Sequence, residues 1–232
     1  MIYKKIIKLI FNLAGLAVSK KNTGSIWNEL KINLVLDVGA NAGQYGLRIR
    51  NEGYKGEIIS FEPLPDVYHQ LLKNSKNDKN WSIYERCALG SHNGVMDINV
   101  SKNSQSSSFL KIKKNHIEAA PESHYVGSVK TNVVTLDSIF GKLKAVNKKT
   151  LLKIDVQGYE DEVLKGVKEN IKNLYAIEIE LSTVELYENQ RTYEYFFELM
   201  DGYGLRLWSL EPVFRNPISG QVLQFDCLFV KK

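Results

Sequence analysis

Residues 34–43 read Leu34-Val35-Leu36-Asp37-Val38-Gly39-Ala40-Asn41-Ala42-Gly43, and the fold class of the chain follows from them. The first five are apolar apart from one acid and rich in Val and Leu, then give way abruptly to small residues. A parallel strand buried on both faces looks like this. Helical spacing follows from about Gly43 to Asn51 and closes at Gly53. Strand, glycine turn and helix together make the opening unit of an α/β domain.

The glycines at 39, 43 and 46 are spaced G-x-x-x-G-x-x-G. A dinucleotide site uses G-x-G-x-x-G to seat a pyrophosphate on a helix N-terminus. The spacing here therefore argues against a nicotinamide enzyme. It suits a nucleoside ligand that lacks phosphate, such as S-adenosylmethionine (SAM), whose polar end is a carboxylate and an ammonium. Asp37 would organise the turn and attract the ammonium or sulfonium, with Gly39, Ala40, Asn41 and Gly43 shaping the pocket. A tight turn without a ligand is the alternative for this element alone.

Working outward, residues 57–61 form a second strand that ends at Glu62-Pro63, and Val67, Leu71 and Leu72 mark a helix. Residues 81–87 read as a third strand turning at Leu89-Gly90, residues 150–155 as a fourth and 174–180 as a fifth. Helices are expected over 160–166 and 184–200, and residues 205–210 and 222–230 read as an antiparallel pair joined through Pro217 and Gly220. Such alternation implies βαβ units and a parallel sheet. Residues 91–134 break the rhythm with β-like pieces at 95–100 and 129–134 around a serine-rich loop. They read as a hairpin-like insertion whose Ser106 and Ser107 are candidates for substrate contact, since loops at the strand-end face carry function.

Carboxylates at strand ends carry the expected chemistry. Glu62 lies 23 residues beyond Gly39, where an acid can accept both hydroxyl protons of an adenosine ribose. Cys87 and Ala88 offer a small apolar border for a flat ring. Asp155 ends the fourth strand, where a reacting group would lie near the topological switch point; an N-cap for the next helix is its bland role. Gln157, Tyr159 and Glu160 follow in the turn, and Glu178 and Glu180 alternate along the fifth strand. Asp155 is the expected base, with Glu178 or Glu160 as second candidates, and Gln157 and Tyr159 as substrate contacts. A metal site needs more converging hard ligands than this pattern offers, and the four histidines have no ligand spacing, so no metal is expected.

The net charge of +5 invites a nucleic-acid reading, but the lysines are dispersed among carboxylates and no RNP-like or N-P-P-Y motif is present. No nucleic-acid partner is expected; a small molecule or glycan is. Cys87 and Cys227 form no CxxC pair, which favours packed thiols in a reducing cytoplasm. Residues 1–18 mix Lys4, Lys5 and Lys8 with Ile6, Ile7, Leu9, Ile10 and Phe11, an amphipathic pattern too short and charged to span a bilayer. Such a helix packs on the domain or rests on an anionic membrane at the cytoplasmic face. The expected organisation is an N-terminal helical segment over 1–30 and one catalytic domain over 31–232, with the oligomeric state left open.

Taken in order, these motifs resemble the FkbM-type methyltransferases. The resemblance rests on LVLDVGANAGQYG at 34–46, IISFEPLPDVYHQL at 58–71, CALG at 87–90, VVTLDSIF at 133–140, LLKIDVQGYEDEVLKG at 151–166 and DCLFV at 226–230. It implies a Rossmann-like class I fold, a mostly parallel seven-stranded sheet with a C-terminal antiparallel pair, SAM as cofactor and O-methylation of a sugar, glycan or other small-molecule hydroxyl. It also implies that Asp37, Gly39, Asn41 and Gly43 shape the methionine end, Glu62 takes the ribose, and Cys87 and Ala88 border the adenine. The chain departs from the pattern at Gln157, where many members carry Glu, so a base or metal-ligand role at that place does not carry over. A non-catalytic SAM-fold module in glycan assembly is the rival from another class.

Overall fold

Strand β1 (Leu34–Val38) is buried at every position and lies inside a seven-stranded sheet ordered β3-β2-β1-β7-β8-β10-β9. The computed structural model describes residues 26–232. The amphipathic segment expected over residues 1–18 lies outside them. The elements in chain order are α1 (Ile26–Leu30), β1, α2 (Gln44–Asn51), β2 (Glu57–Phe61), α3 (Pro65–Ser75), β3 (Trp81–Ile83), β4 (Ala88–Leu89) and β5 (Gly94–Ser101). Then come α4 (Lys114–Ala119), β6 (Tyr125–Val134), α5 (Leu136–Ile139), β7 (Thr150–Ile154), α6 (Glu160–Lys165), β8 (Leu174–Ser182), α7 (Tyr193–Gly202), β9 (Leu205–Arg215) and β10 (Val222–Lys231).

β1 pairs in parallel with β2 on one side and β7 on the other, and β10 runs antiparallel between β8 and β9. This is the class I methyltransferase arrangement that the motifs implied. Side chains alternate across the sheet. Leu34, Leu36 and Val38 therefore enter one core layer with Leu152 and Ile177, while Val35 enters the other with Trp27, Leu151 and Ala176. Because the chain leaves β1 toward β2 and returns beside it as β7, a crevice opens at the carboxyl ends of these strands.

Three elements differ from the sequence reading. The third strand stops at Ile83, and the chain crosses to a separate three-stranded sheet, where Ala88–Leu89 pairs with Val133 and Val134. Residues 184–192 are not helical: Asn189 takes φ +62°, and the Gln190 side chain accepts hydrogen bonds from the Leu186 and Tyr187 amides. The helix accordingly starts at Tyr193. Finally, β9 continues past Leu210 to Arg215 as an exposed edge strand. The insertion is a hairpin of β5 and β6, with α4 and the serine-rich loop carried between its strands.

Candidate active site

A cavity of about 470 Å³ occupies the crevice, walled by the strand ends, the loop at 103–107 and part of β9. That volume falls within the range of small-molecule and cofactor sites. The β1 turn forms one edge. Gly39 and Ala40 donate their amides to the Phe61 carbonyl, and the Asp155 amide donates to the Val38 carbonyl, so three strand ends are tied together. Gly39 has φ +75°, and a Cβ there would stand 1.9 Å from the Asp155 carbonyl oxygen. Close approach of two strand ends, rather than of a ligand, is what requires glycine at this position.

Glu62 sits on the β2 side, 4 % exposed. Its Oε2 accepts the Asn41 amide and its Oε1 the Leu64 amide, each at 2.8 Å. Burial pushes its pKa up to about 7, against the pull of those two amides. Each carboxylate oxygen can accept more than one hydrogen bond, so the group that holds the turn closed still has acceptor capacity for a diol. Beside it Phe61, Leu64, Cys87, Ala88 and Leu89 make an apolar slot.

The β7 side is a network of carboxylates and amides. Gln157 has φ +56° and is followed by Gly158 at φ +97°, which folds its side chain back over the strand ends. Its Nε2 donates to Asp155 Oδ1 and to Glu180 Oε2, both at 2.8 Å, and its Oε1 accepts the Tyr187 hydroxyl at 2.8 Å. Gln224 Nε2 donates to the same Glu180 oxygen at 2.6 Å, and Asp226 stands opposite Glu180 in the β8–β10 register. Lys153 Nζ lies 3.2 Å from Asp155 Oδ2 and 3.9 Å from Asp37 Oδ1. Burial works against the Lys153 charge, but Asp155, Asp37, Asp226 and Glu180 outweigh it and hold the ammonium above the usual lysine range. Burial, then Asp155 and Asp226, drives the Glu180 carboxyl well above the usual carboxylate range. Asp226 is pushed up to about 6, by burial first and then by Glu178 and Asp155. Carboxyl groups pushed up in this way are suited to exchanging protons near neutral pH.

The sequence profile described as Methyltransferase FkbM domain matches residues 37–207, most of the chain. The chain belongs to this family. It is a SAM-dependent methyltransferase. The 2-O-methyltransferase NoeI of Sinorhizobium fredii is 26 % identical over 198 residues, covering 82 % of this chain and 78 % of that protein. The hexuronic acid methyltransferase AglP of Haloferax volcanii is 26 % identical over 152 residues, 64 % of this chain and 56 % of its own length. Among solved structures, Aeropyrum pernix fibrillarin with bound SAM superposes with a TM-score of 0.47 at 12 % identity, covering 85 % of this chain and 66 % of that one.

In the FkbM enzyme the expected site residues divide in two. Gly39, Ala40, Asn41, Glu62, Pro63, Cys87, Ala88, Ser106, Ser107, Asp155 and Gln157 all line the cavity. Asp37 does not: it is fully buried beneath the floor, where its Oδ2 accepts the Ser60 hydroxyl, which in turn accepts the Trp81 indole N–H. Gly43 faces Trp81 and Leu71, where a Cβ would come within 3.0 Å. Tyr159 packs against Phe109 with the rings tilted by 51° and their centroids 4.8 Å apart, behind the wall. Nor do the two second candidates for the base reach the cavity. Glu160 accepts the Val156 and Gly158 amides, and burial pushes it up to about 7. Glu178 accepts the Tyr45 hydroxyl at 2.6 Å and an Arg48 N–H at 3.1 Å. The acid that β8 delivers to the cavity is Glu180 instead.

Sequence reasoning passed over Lys153, Gln224, Asp226 and His116, which also line the cavity. Lys153 shows a signal in retrospect, as a charge inside an apolar strand, since lysine is almost never buried unless paired. Asp226 reaches the site through an antiparallel register, and His116 on the short helix α4 of the insertion, neither of which leaves a local pattern.

Proposed function

We propose that the enzyme transfers the methyl group of SAM to a hydroxyl oxygen of a sugar or glycan. The observation that carries this reading is the position of Asp155. It shares one cavity with Glu62, and its carboxylate is fixed from two sides by Gln157 and Lys153.

The residues fit the cofactor. Glu62 retains acceptor capacity that would take the ribose hydroxyls, the 39–41 turn would hold the methionine end, and Phe61, Pro63, Cys87 and Ala88 would border the adenine. Asp37 acts indirectly, through Lys153 and Ser60. When bound, SAM supplies an electrophilic methyl group. The protein's tasks are alignment and proton removal. Alignment of reactants can be worth on the order of 7–11 kcal/mol. A positioned base adds roughly 10²–10⁴-fold, and Asp155 takes that role, accepting the hydroxyl proton while Lys153 and Gln157 keep its orientation. Ser106 and Ser107 present hydroxyls to the acceptor from the insertion. An oxygen acceptor is supported by the relative named as a 2-O-methyltransferase and a sugar by the one named for hexuronic acid.

The test is to incubate the full chain with SAM and a panel of mono- and oligosaccharides, following S-adenosylhomocysteine release and methylated product by mass spectrometry. Turnover of a hydroxyl-bearing sugar is expected. Methylation confined to nitrogen or carbon acceptors would refute the proposal. We also place the enzyme at the cytoplasmic face of a membrane, held by residues 1–18. Flotation of the full chain with anionic vesicles should be lost when Lys4, Lys5 and Lys8 become Gln.

A further inference from the structure

The cavity has a wall that the proton-transfer scheme leaves idle. His116, on α4 of the insertion, is 3 % exposed and lines the cavity. Its ring meets Tyr187 edge-on at 5.1 Å and lies 5.4 Å from Phe214 of β9. Burial lowers its pKa to about 4, so the imidazole is neutral near pH 7. The buried Nδ1 has no hydrogen-bond partner among the described residues. That atom is sealed within the protein, whereas Nε2 makes no hydrogen bond among the described residues and is the ring nitrogen that a ligand in the cavity can reach. A neutral imidazole offers one donor and one acceptor, which matches a hydroxyl.

The charges around this wall narrow the ligand. Among the described residues, the Lys and Arg side chains that line the cavity are Arg48 and Lys153, and both are already paired, with Glu178 and with Asp155 and Asp37. Facing the same space are the carboxyl groups of Asp155, Glu180 and Asp226 and the amides of Gln157 and Gln224. A substrate carboxylate would stand against the Asp155 carboxylate with no unpaired cation to receive it, while the raised Glu180 carboxyl offers a neutral partner to a hydroxyl. Hydroxyl groups would meet acceptors and donors at every turn, and Phe214 supplies an apolar face for a ring.

We infer that the acceptor is an uncharged, polyhydroxylated ring, a neutral sugar residue, seated between Phe214 and the Asp155–Gln157–Glu180–Gln224 network with His116 bonded to one of its hydroxyls. This rests on the sugar-hydroxyl reading above. It sets the enzyme apart from its relative named for hexuronic acid.

The experiment offers the full chain, saturated with SAM, the methyl glycosides of a neutral hexose and of the matching hexuronic acid. The expected kcat/KM for the hexuronate is lower by about tenfold or more, the penalty of unrelieved like charge. His116→Phe should raise KM for the neutral sugar by roughly tenfold, with SAM affinity unchanged, and His116→Gln should restore part of that loss. Equal or better use of the hexuronate would overturn the inference and leave sugar O-methylation standing. Turnover of neither sugar would overturn both. An unaltered KM in a folded, SAM-binding His116→Phe enzyme would remove His116 from the acceptor site.

Discussion

Under the proposed function, one carboxylate at Glu62 performs two tasks. It staples the Asn41 and Leu64 amides, and it offers the acceptor capacity that a ribose needs. Glu62→Gln removes the charge and turns a donor toward one of those amides. Losing hydrogen bonds to a charged group costs about 1.5–3 kcal/mol, so SAM affinity measured by calorimetry should fall roughly 10–100-fold. Gln157 offers a second test. Its amide N–H groups separate Asp155 from Glu180, a role that a carboxylate cannot fill. Gln157→Glu sets a third acid against two others, and like charge raises a carboxyl pKa. The acid limb of the kcat–pH profile should therefore move to higher pH; a limb that stays in place would dissociate Gln157 from the base. Glu62 and Asp155 were legible in the sequence because an acid directly after an apolar strand stands at the ligand face of an α/β sheet. Glu178 misled because one β8 acid and the next but one share a face, and only the depth of the strand shows that Glu180 is the one at the rim.

At the scale of elements, the glycine turn works by packing. A Cβ on Gly46 would come 2.3 Å from the Trp81 ring, as Gly39 would meet the Asp155 carbonyl, so α2 and the β1 end are drawn onto their neighbours. Gly39→Ala should cost at least the 1–3 kcal/mol typical of a residue forced into a sparsely populated backbone region. The cost would be read as a lower urea midpoint. Retention of the wild-type midpoint would mean that the strand ends separate freely. The parallel strands were readable from their apolar runs, and the C-terminal pair from its turn residues. Residues 81–87 were not, because the chain leaves one sheet for another at Tyr84, whose amide still reaches the Ser60 carbonyl. The β pattern continues across the junction, and a change of partner strand leaves no periodic signal. Residues 184–192 have helical spacing, but Gln190 satisfies the backbone amides in a way that competes with a helix.

Across the whole molecule, several buried acids make stability depend on pH in an unusual direction. Glu160 and Glu62 titrate near 7 in the folded chain, against an ordinary value of 4.5, burial being the main cause. Between those values the folded state binds more protons than the unfolded one, so stability is greatest at the acid end of that window and falls as pH rises toward and through 7. The carboxylate of Glu162, drawn down by Lys165 and Ser91 in opposition to burial, acts the other way and withdraws its support only at lower pH. The denaturant midpoint should therefore be higher near about pH 5.5 than near about pH 8, and Glu160→Gln should flatten the difference. A midpoint that rises steadily toward pH 8 would contradict this balance.

Asp155 is the acid that the turn after β7 delivers to the cavity shared with Glu62. The most direct measurement compares wild type with Asp155→Asn for methyl transfer from labelled SAM to a sugar hydroxyl, with SAM affinity determined in parallel. Turnover should fall by roughly 10²–10⁴-fold while the variant still binds SAM; turnover at the wild-type level would contradict the assignment.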